Sequence, residues 1–201
     1  MANILIGCEY SATVRDAFIS RGHDAWSNDI IDCEKGGTHL KMDIMDALKM
    51  RRWDGAIIHI PCTAMGVCGN GTYGSGKPRH NERVEAVAWS MEVWDCAVEN
   101  CGWVVMENPA SVLFPALREQ RGADVQYIHP WQHGHPEQKK TGLALHKQKR
   151  LVESNNVYEH MMTLPTKERE RIWYMSPGPD RQKERARFFP GIADAFAEQW
   201  G

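Results

Sequence analysis

The run Ala56-Ile57-Ile58-His59-Ile60 is apolar at all but one position, stops at Pro61-Cys62, and leads into glycines at 66, 69, 71, 74 and 76. A strand without polar alternation must be covered on both faces, which is the situation of a central strand in a parallel sheet. Similar short runs recur, separated by helical stretches. Ile4-Leu5-Ile6 reads as a first strand, with a tight turn at Gly7-Cys8-Glu9-Tyr10 and a helix from Ala12 to Arg21, N-capped by Ser11 and stopped by Gly22. Asp24 to Asn28 reads as a second strand, and Leu40 to Asp43 closes a third short element. Helices are expected over Asp46–Arg52 and Glu82–Asn100, with a buried strand at Trp103–Met106. Later strands are expected at Tyr127–His135 and Thr141–His146, a short helix near Lys167–Tyr174, and a turn at Ser176–Asp180. This alternation predicts an α/β protein with an open, mostly parallel sheet and helices on both faces.

The chain has 201 residues, 42% hydrophobic and 25% charged, which suits one soluble globular domain spanning 1–201. No apolar run reaches the length of a membrane span, and MANILIGCEY reads as a strand rather than a signal peptide, so the expected compartment is the cytosol. Six cysteines at irregular spacing argue for free thiols rather than a disulfide framework. His129, His133 and His135 carry metal-ligating chemistry, but strand-end histidines more often pack or hydrogen-bond, and no metal is expected. Charge is uneven. Residues 1–120 hold 11 Lys+Arg against 16 Asp+Glu, whereas 121–201 hold 13 against 10, an excess that permits a polyanionic partner.

In such sheets ligands sit outside the carboxyl ends of the strands. The polar residues collect there: Gly7-Cys8-Glu9, Asp29, Asp43, Pro61-Cys62 and Glu107-Asn108. A cysteine at a strand end can be a nucleophile, although cysteine is more often a small packing residue. A carboxyl group at the end of the next strand changes the weighing. Cys62 and Glu107 could face one substrate, the first attacking an electrophilic carbon while the second protonates a ring nitrogen.

Pro61-Cys62 and Glu107-Asn108-Pro109, in this order and each after a hydrophobic strand, resemble the DNA cytosine-5 methyltransferases. The resemblance extends to Ile4-Leu5-Ile6-Gly7-Cys8-Glu9, to Asp29 at the end of the second strand, to Met42-Asp43-Ile44, and to the tail Gly191-Ile-Ala-Asp-Ala-Phe-Ala197. It implies a Rossmann-like, S-adenosylmethionine-dependent methyltransferase fold acting on DNA. Cys62 would attack C6 of a flipped-out cytosine, and Glu107 would hold N3. Gly7, Cys8, Glu9, Tyr10, Ser11, Asp29, Ile30, Asp43, Ile44 and Pro61 would line the cofactor site. Thr63, Asn108 and Pro109 would meet the base. Gly66–Gly76 would close over it as a loop, with Lys77, Arg79, His80 and Arg83 at its far end and Lys139 and Lys140 at the DNA-facing rim. "QKERAR" (182–187) is similar to the family's Gln-x-Arg-x-Arg motif with the spacing off by one, which puts Arg185 and Arg187 beside the base and the intermediate. Trp131 and Trp173 are the tryptophans that could stack on bases.

Thr63 stands where the family has glutamine. Residues 147–183 are a reduced polar insertion where the family carries a large target-recognition domain, so short or partner-supplied specificity is expected. Arg185-Ala-Arg187-Phe188 replaces a small Gly-Asn, and an arginine there would suit a donor carrying an extra carboxylate. By analogy, these departures suit a phage protein working in a bacterial host's cytosol. Two other readings stay open: an inactive nucleic-acid- or nucleotide-binding module on the same fold, and a C5 transferase acting on free pyrimidine nucleotides. Oligomeric state is not legible.

Overall fold

The computed structural model describes residues 1–176, 178, 184, 185 and 187–201. Among them, seven strands form one sheet. In chain order they are β1 (Asn3–Gly7), β2 (Asp24–Asp29), β3 (His39–Lys41), β4 (Trp53–His59), β5 (Cys101–Pro109), β6 (Asp124–Ile128) and β7 (Thr141–His146). Their spatial order is β3-β2-β1-β4-β5-β7-β6. The first five are parallel, and β7 runs antiparallel to both β5 and β6. The helices are α1 (Thr13–Ser20), α2 (Ile44–Lys49), α3 (Asn70–Tyr73), α4 (His80–Asn100), α5 (Leu113–Arg121), α6 (Tyr158–Thr163), α7 (Thr166–Arg169), α8 (Arg171–Tyr174) and a C-terminal helix, Pro190–Trp200.

The central strands are apolar throughout because the sheet has two cores. Leu5, Ala56, Ile58, Val104, Met106 and Ala144 belong to one, with Ala47 and Leu48 of α2, Trp94 of α4 and Phe114 of α5. Ile4, Ile6, Ile57, Val105, Leu143 and Leu145 belong to the other, with Phe18 of α1 and Phe196 and Trp200 of the C-terminal helix. Each fully buried aliphatic side chain contributes about 1.5–3 kcal/mol of transfer free energy, so alternate residues of one strand glue opposite layers together. All six cysteines are free thiols, as expected.

Several boundaries differ from the pattern reading. Helix α1 does not begin on a Ser11 cap. Ala12 takes a left-handed backbone (φ 59°), and the Glu9 carboxylate instead accepts the N–H groups of Val14 (2.7 Å) and Arg15 (3.2 Å). A carboxylate reaching back from the strand end satisfies two orphan donors and complements the helix dipole, which one short hydroxyl cannot do. Beyond Ile128 the chain does not stay extended, because Pro130 cannot donate to a ladder and opens a 3-10 turn, Pro130–Gln132. The helix expected near 167–174 is two single turns, α7 and α8, interrupted at Glu170 (φ −111°). Helix α6, six residues long, is too short to show a helical period. On α4, Val84 is exposed, and Arg83, Ser90, Met91, Trp94 and Ala97 are among the residues of its buried face. The turn at 176–180 and the motif at 182–187 fall partly outside the described residues.

Residues 147–176 run over the surface but are tied down. The Gln126 side chain exchanges two hydrogen bonds with the Leu151 backbone (2.7 and 2.8 Å), and Gln199 does the same with Val152 (2.9 and 2.8 Å).

Gly55 pairs with Trp103 across β4 and β5, and a Cβ there would lie 2.0 Å from the indole. Gly55→Ala should therefore destabilise the domain by about 1–3 kcal/mol, the usual cost of overpacking. Thermal denaturation should show this as a drop of about 2–4 °C per kcal/mol.

Candidate active site

The carboxyl ends of β1, β2, β4 and β5 open into one cleft of about 1500 Å³. Its near half is built from the β1 and β2 ends. Gly7 allows α2 to approach, since a Cβ there would lie 2.5 Å from Ile44 Cδ1. Cys8 follows in a left-handed conformation (φ 56°), and the Glu9 N–H donates to the Asn28 carbonyl (2.8 Å), turning the chain over the β2 end. Asn28, not singled out by sequence, is fully buried. Its amide donates to the carbonyls of Leu40 and Met42 (both 2.9 Å) and so ties β2 to the segment leading into α2. Asp43 caps α2 through the Met45 N–H (2.8 Å). Burial, then the charges of Asp29 and Asp43, push the Cys8 thiol up to about 12, so it stays protonated. Burial also raises the Glu9 carboxyl, against the opposing pull of His59 and its hydrogen bonds.

Cys8, Glu9, Tyr10 and Ser11 line this half, with Asp29, Ile30, Asp43 and Ile44. Ile30 is 72% exposed, an apolar side chain held open beside an acid. A ligand with a flat apolar part and vicinal hydroxyls would fit here, with hydroxyls on Asp29 and the flat part on Ile30. The buried Asn28 Oδ1, without a partner among the described residues, is a further free acceptor. S-adenosylmethionine has this donor and ring chemistry, and the residues present fit it.

The far half is built on β4 and β5. Their register sets His59 beside Glu107, and the β4 extension carries Pro61 and Cys62 into the cleft. Asn108 is buried and faces the chain rather than the cleft. Its amide donates to the Ile60 carbonyl (2.7 Å), and the Ile60 N–H donates to the Glu107 carbonyl (3.2 Å), fixing the turn that presents Cys62. The Cys62 carbonyl accepts from Met65 and Gly66 (3.1 and 2.9 Å), and Val67 donates to Ala110 (3.0 Å).

Arg83 is not at the rim. It is buried beneath this loop and donates to the Ala64 carbonyl (2.7 Å), the Gly66 carbonyl (3.2 Å) and Asn70 Oδ1 (2.8 Å). The glycine-rich segment is thus a braced structure, with a 3-10 turn at Val67–Gly69 followed by α3. Arg79 pairs with Glu82 (2.6 Å) over the Tyr73 ring, and His80 hydrogen-bonds the Tyr73 carbonyl (3.1 Å). Lys77 is exposed beside them.

Glu107 is buried, and its Oε2 lies 3.0 Å from His59 Nδ1. Sequence reading did not mark His59. The available signal was a lone polar residue inside the run that leads to Pro61-Cys62. Cys62 and Thr63 are open to the cleft, yet burial first, then the negative charge at Glu107 and Cys68, raise the Cys62 thiol, while Lys139 pulls it down. Lys139 and Lys140 line the cleft, as do Pro109, Trp173 and Arg185. Lys140 lies over the Tyr127 ring (4.3 Å). Arg187 is elsewhere, pairing with Glu34 (3.2 Å) and Glu184 (3.0 Å) at a separate small pocket. Trp131 stacks on His129, whereas Trp173 is 62% exposed.

The three histidines serve packing and hydrogen bonding. His133 bonds Ser154 (3.0 Å), and His135 accepts the Gly191 N–H (2.9 Å), seating the C-terminal helix where a Cβ on Gly191 would strike the His133 carbonyl. Among the described residues no group of three or more His, Cys, Asp or Glu is placed to hold a metal.

No family model matches the chain, and no curated protein matches its sequence. Solved structures do match its fold. One is described as a DNA modification methyltransferase encoded within prophage Cp of E. coli, with TM-score 0.50 and 12% identity over 72% of this chain and 46% of its own. Another is the Entamoeba histolytica methyltransferase EhMeth, with TM-score 0.52 and 11% identity over 78% of this chain and 57% of its own. The chain spans about half the length of these structures. At such identity the likeness concerns architecture: this is a Rossmann-like methyltransferase fold, as the strand order, the antiparallel β7 and the matches agree.

The charges around Cys62 make its reactivity testable without any substrate. At one mildly alkaline pH, Glu107→Gln should speed alkylation of Cys62 and Lys139→Ala should slow it, each by roughly two- to tenfold, read by peptide mass spectrometry of the Cys62 peptide.

Proposed function

We propose that this chain transfers a methyl group from S-adenosylmethionine to C5 of cytosine in DNA through a covalent Cys62–C6 intermediate. One observation carries the reading: Cys62 and Glu107 stand at adjacent strand ends and line one cleft with the Asp29–Asp43 half, so a nucleophile, an acid and a donor site converge.

The Cys62 thiol loses its proton and the sulfur bonds to C6. The C5–C6 π pair shifts toward C4 and N3, and N3 takes a proton from Glu107, leaving an enamine nucleophilic at C5. The bound donor supplies an electrophilic methyl group. Afterwards the C5 proton is lost, the Cys62–C6 bond breaks with its electron pair returning to sulfur, which takes back a proton, and N3 returns its proton to Glu107, so the net change is methyl for hydrogen with one proton released. Asp29, Ile30, Asn28 and Asp43 orient the donor. Asn108 and Arg83 act behind the scene, by fixing the turn and loop that present Cys62.

Reaching a cytosine in a duplex requires flipping it out, and this reading assigns phosphate contacts to Lys139 and Lys140 in the cleft and to the exposed Lys77. Exposed Trp173 offers a stacking face. The short 147–183 segment supports weak intrinsic specificity or a partner that supplies it. Arg185, in the cleft, supports the variant in which the donor carries an extra carboxylate. An inactive binding module is the second reading, but it gives no reason for an accessible thiol beside a buried carboxyl group.

Nucleoside mass spectrometry on DNA incubated with the protein and either donor tests this. A methyl-sized gain on deoxycytidine is expected, abolished by Cys62→Ala and reduced about 10²- to 10⁴-fold by Glu107→Gln. A gain seen only with the carboxylated donor would assign that variant. Unmodified cytosine with salt-sensitive DNA retardation would transfer the assignment to the binding module.

A further inference from the structure

His59 is the polar residue that breaks the apolar run of β4, and nothing in the mechanism above uses it. Its Nδ1 lies 3.0 Å from Glu107 Oε2, and both side chains are largely buried. The other nitrogen, Nε2, is buried with no hydrogen-bond partner among the described residues, and the Phe188 ring packs on the imidazole at 4.7 Å. A buried N–H without a partner is rarer and costlier than an unused lone pair, so this contact favours the tautomer with the proton on Nδ1. Glu9 is the other carboxyl group within electrostatic reach of the ring, and its own oxygens are already engaged by Ser11, Val14 and Arg15.

We propose that His59 is a positioning residue for Glu107. Its Nδ1–H occupies Oε2, leaving Oε1 to face the base, to take up a proton once the base has entered, and to pass it to N3. The proposal rests on the cytosine reading for the identity of that base. When Oε1–H passes its proton to N3, the electron pair of the broken O–H bond stays on Glu107, and the carboxylate formed is held by a donor already in place. When N3 returns the proton to Oε1, the starting pair is restored, and His59 exchanges no proton. The bond strengthens as charge develops on Glu107, so it serves the step more than it serves substrate binding.

The shape of asparagine makes this testable. An asparagine amide places its nitrogen close to the Nδ1 position, glutamine places it nearer Nε2, and phenylalanine keeps the ring against Phe188 with no donor. His59→Phe should lower kcat by about ten- to a hundredfold, as expected for losing a hydrogen bond to a developing charge, with KM for DNA little changed. His59→Asn should restore most of that loss, and His59→Gln should not. Equal kcat for wild type and His59→Phe would overturn the proposal, as would a loss that asparagine fails to repair while thermal unfolding shows both variants folded. A second readout needs no activity: nitrogen NMR of the His59 ring should show Nδ1 protonated in wild type, with that preference weakened in Glu107→Leu. An Nε2–H tautomer would overturn the proposal even in an active enzyme. If cytosine is never modified but the ring is Nδ1-protonated and answers to Glu107→Leu, the cytosine reading fails and the orientation of Glu107 by His59 stands.

Discussion

The parallel register of β4 on β5 is the constraint on which the site depends. It pairs Ile58 with Met106 and His59 with Glu107, so where these strands run out, an imidazole, a carboxyl group and the Pro61-Cys62 turn emerge together. Side chains alternate between faces with period two, so a one-residue slip of β4 against β5 would carry Ile57 out of one core and Ile58 out of the other. Both faces are dry, and the register is therefore held by the whole apolar interior rather than by the few polar groups that use it.

From this base the cleft is assembled by backbone-directed hydrogen bonds. Asn108 holds Ile60, Arg83 holds Ala64 and Gly66, Asn28 holds Leu40 and Met42, and Glu9 holds the first turn of α1. Each donates or accepts on backbone groups near the cleft that would otherwise be orphaned, which is how irregular backbone can be kept rigid beside a cleft. A substitution among them would reach the chemistry through geometry.

The electrostatics of the far half pull in two directions. Burial and Glu107 keep the Cys62 thiol protonated at rest, whereas Lys139 favours its thiolate. A resting thiol that becomes a nucleophile only when a substrate and its cationic surroundings are in place is guarded against stray alkylation and oxidation. The same low-dielectric setting makes the His59–Glu107 contact matter more than it would in water.

Strand and helix order and the strand-end clustering of Gly7, Asp29, Asp43, Cys62 and Glu107 were legible in the sequence. Each rests on local signals: unbroken apolar runs, helix-stopping glycines, and polar residues directly after them. Ser11 could pass for a cap because capping preference is local, but the Glu9 carboxylate took that place once β1 had folded and brought it over the helix start. Arg79, Arg83 and Arg187 looked alike as charges in a row. Tertiary contacts gave them a surface pair with Glu82, a buried brace under the loop, and a pair with Glu34 from far along the chain, while Arg185 alone of the motif's arginines reached the cleft. His59 gained its meaning only from the strand beside it. The sequence by itself determined which residues lie at strand ends, because periodicity is written along the chain. Which of them face the cleft was decided by tertiary structure, since partners such as Glu107, Ala64 and Glu34 are distant in sequence and are brought within bonding distance only by the packed sheet.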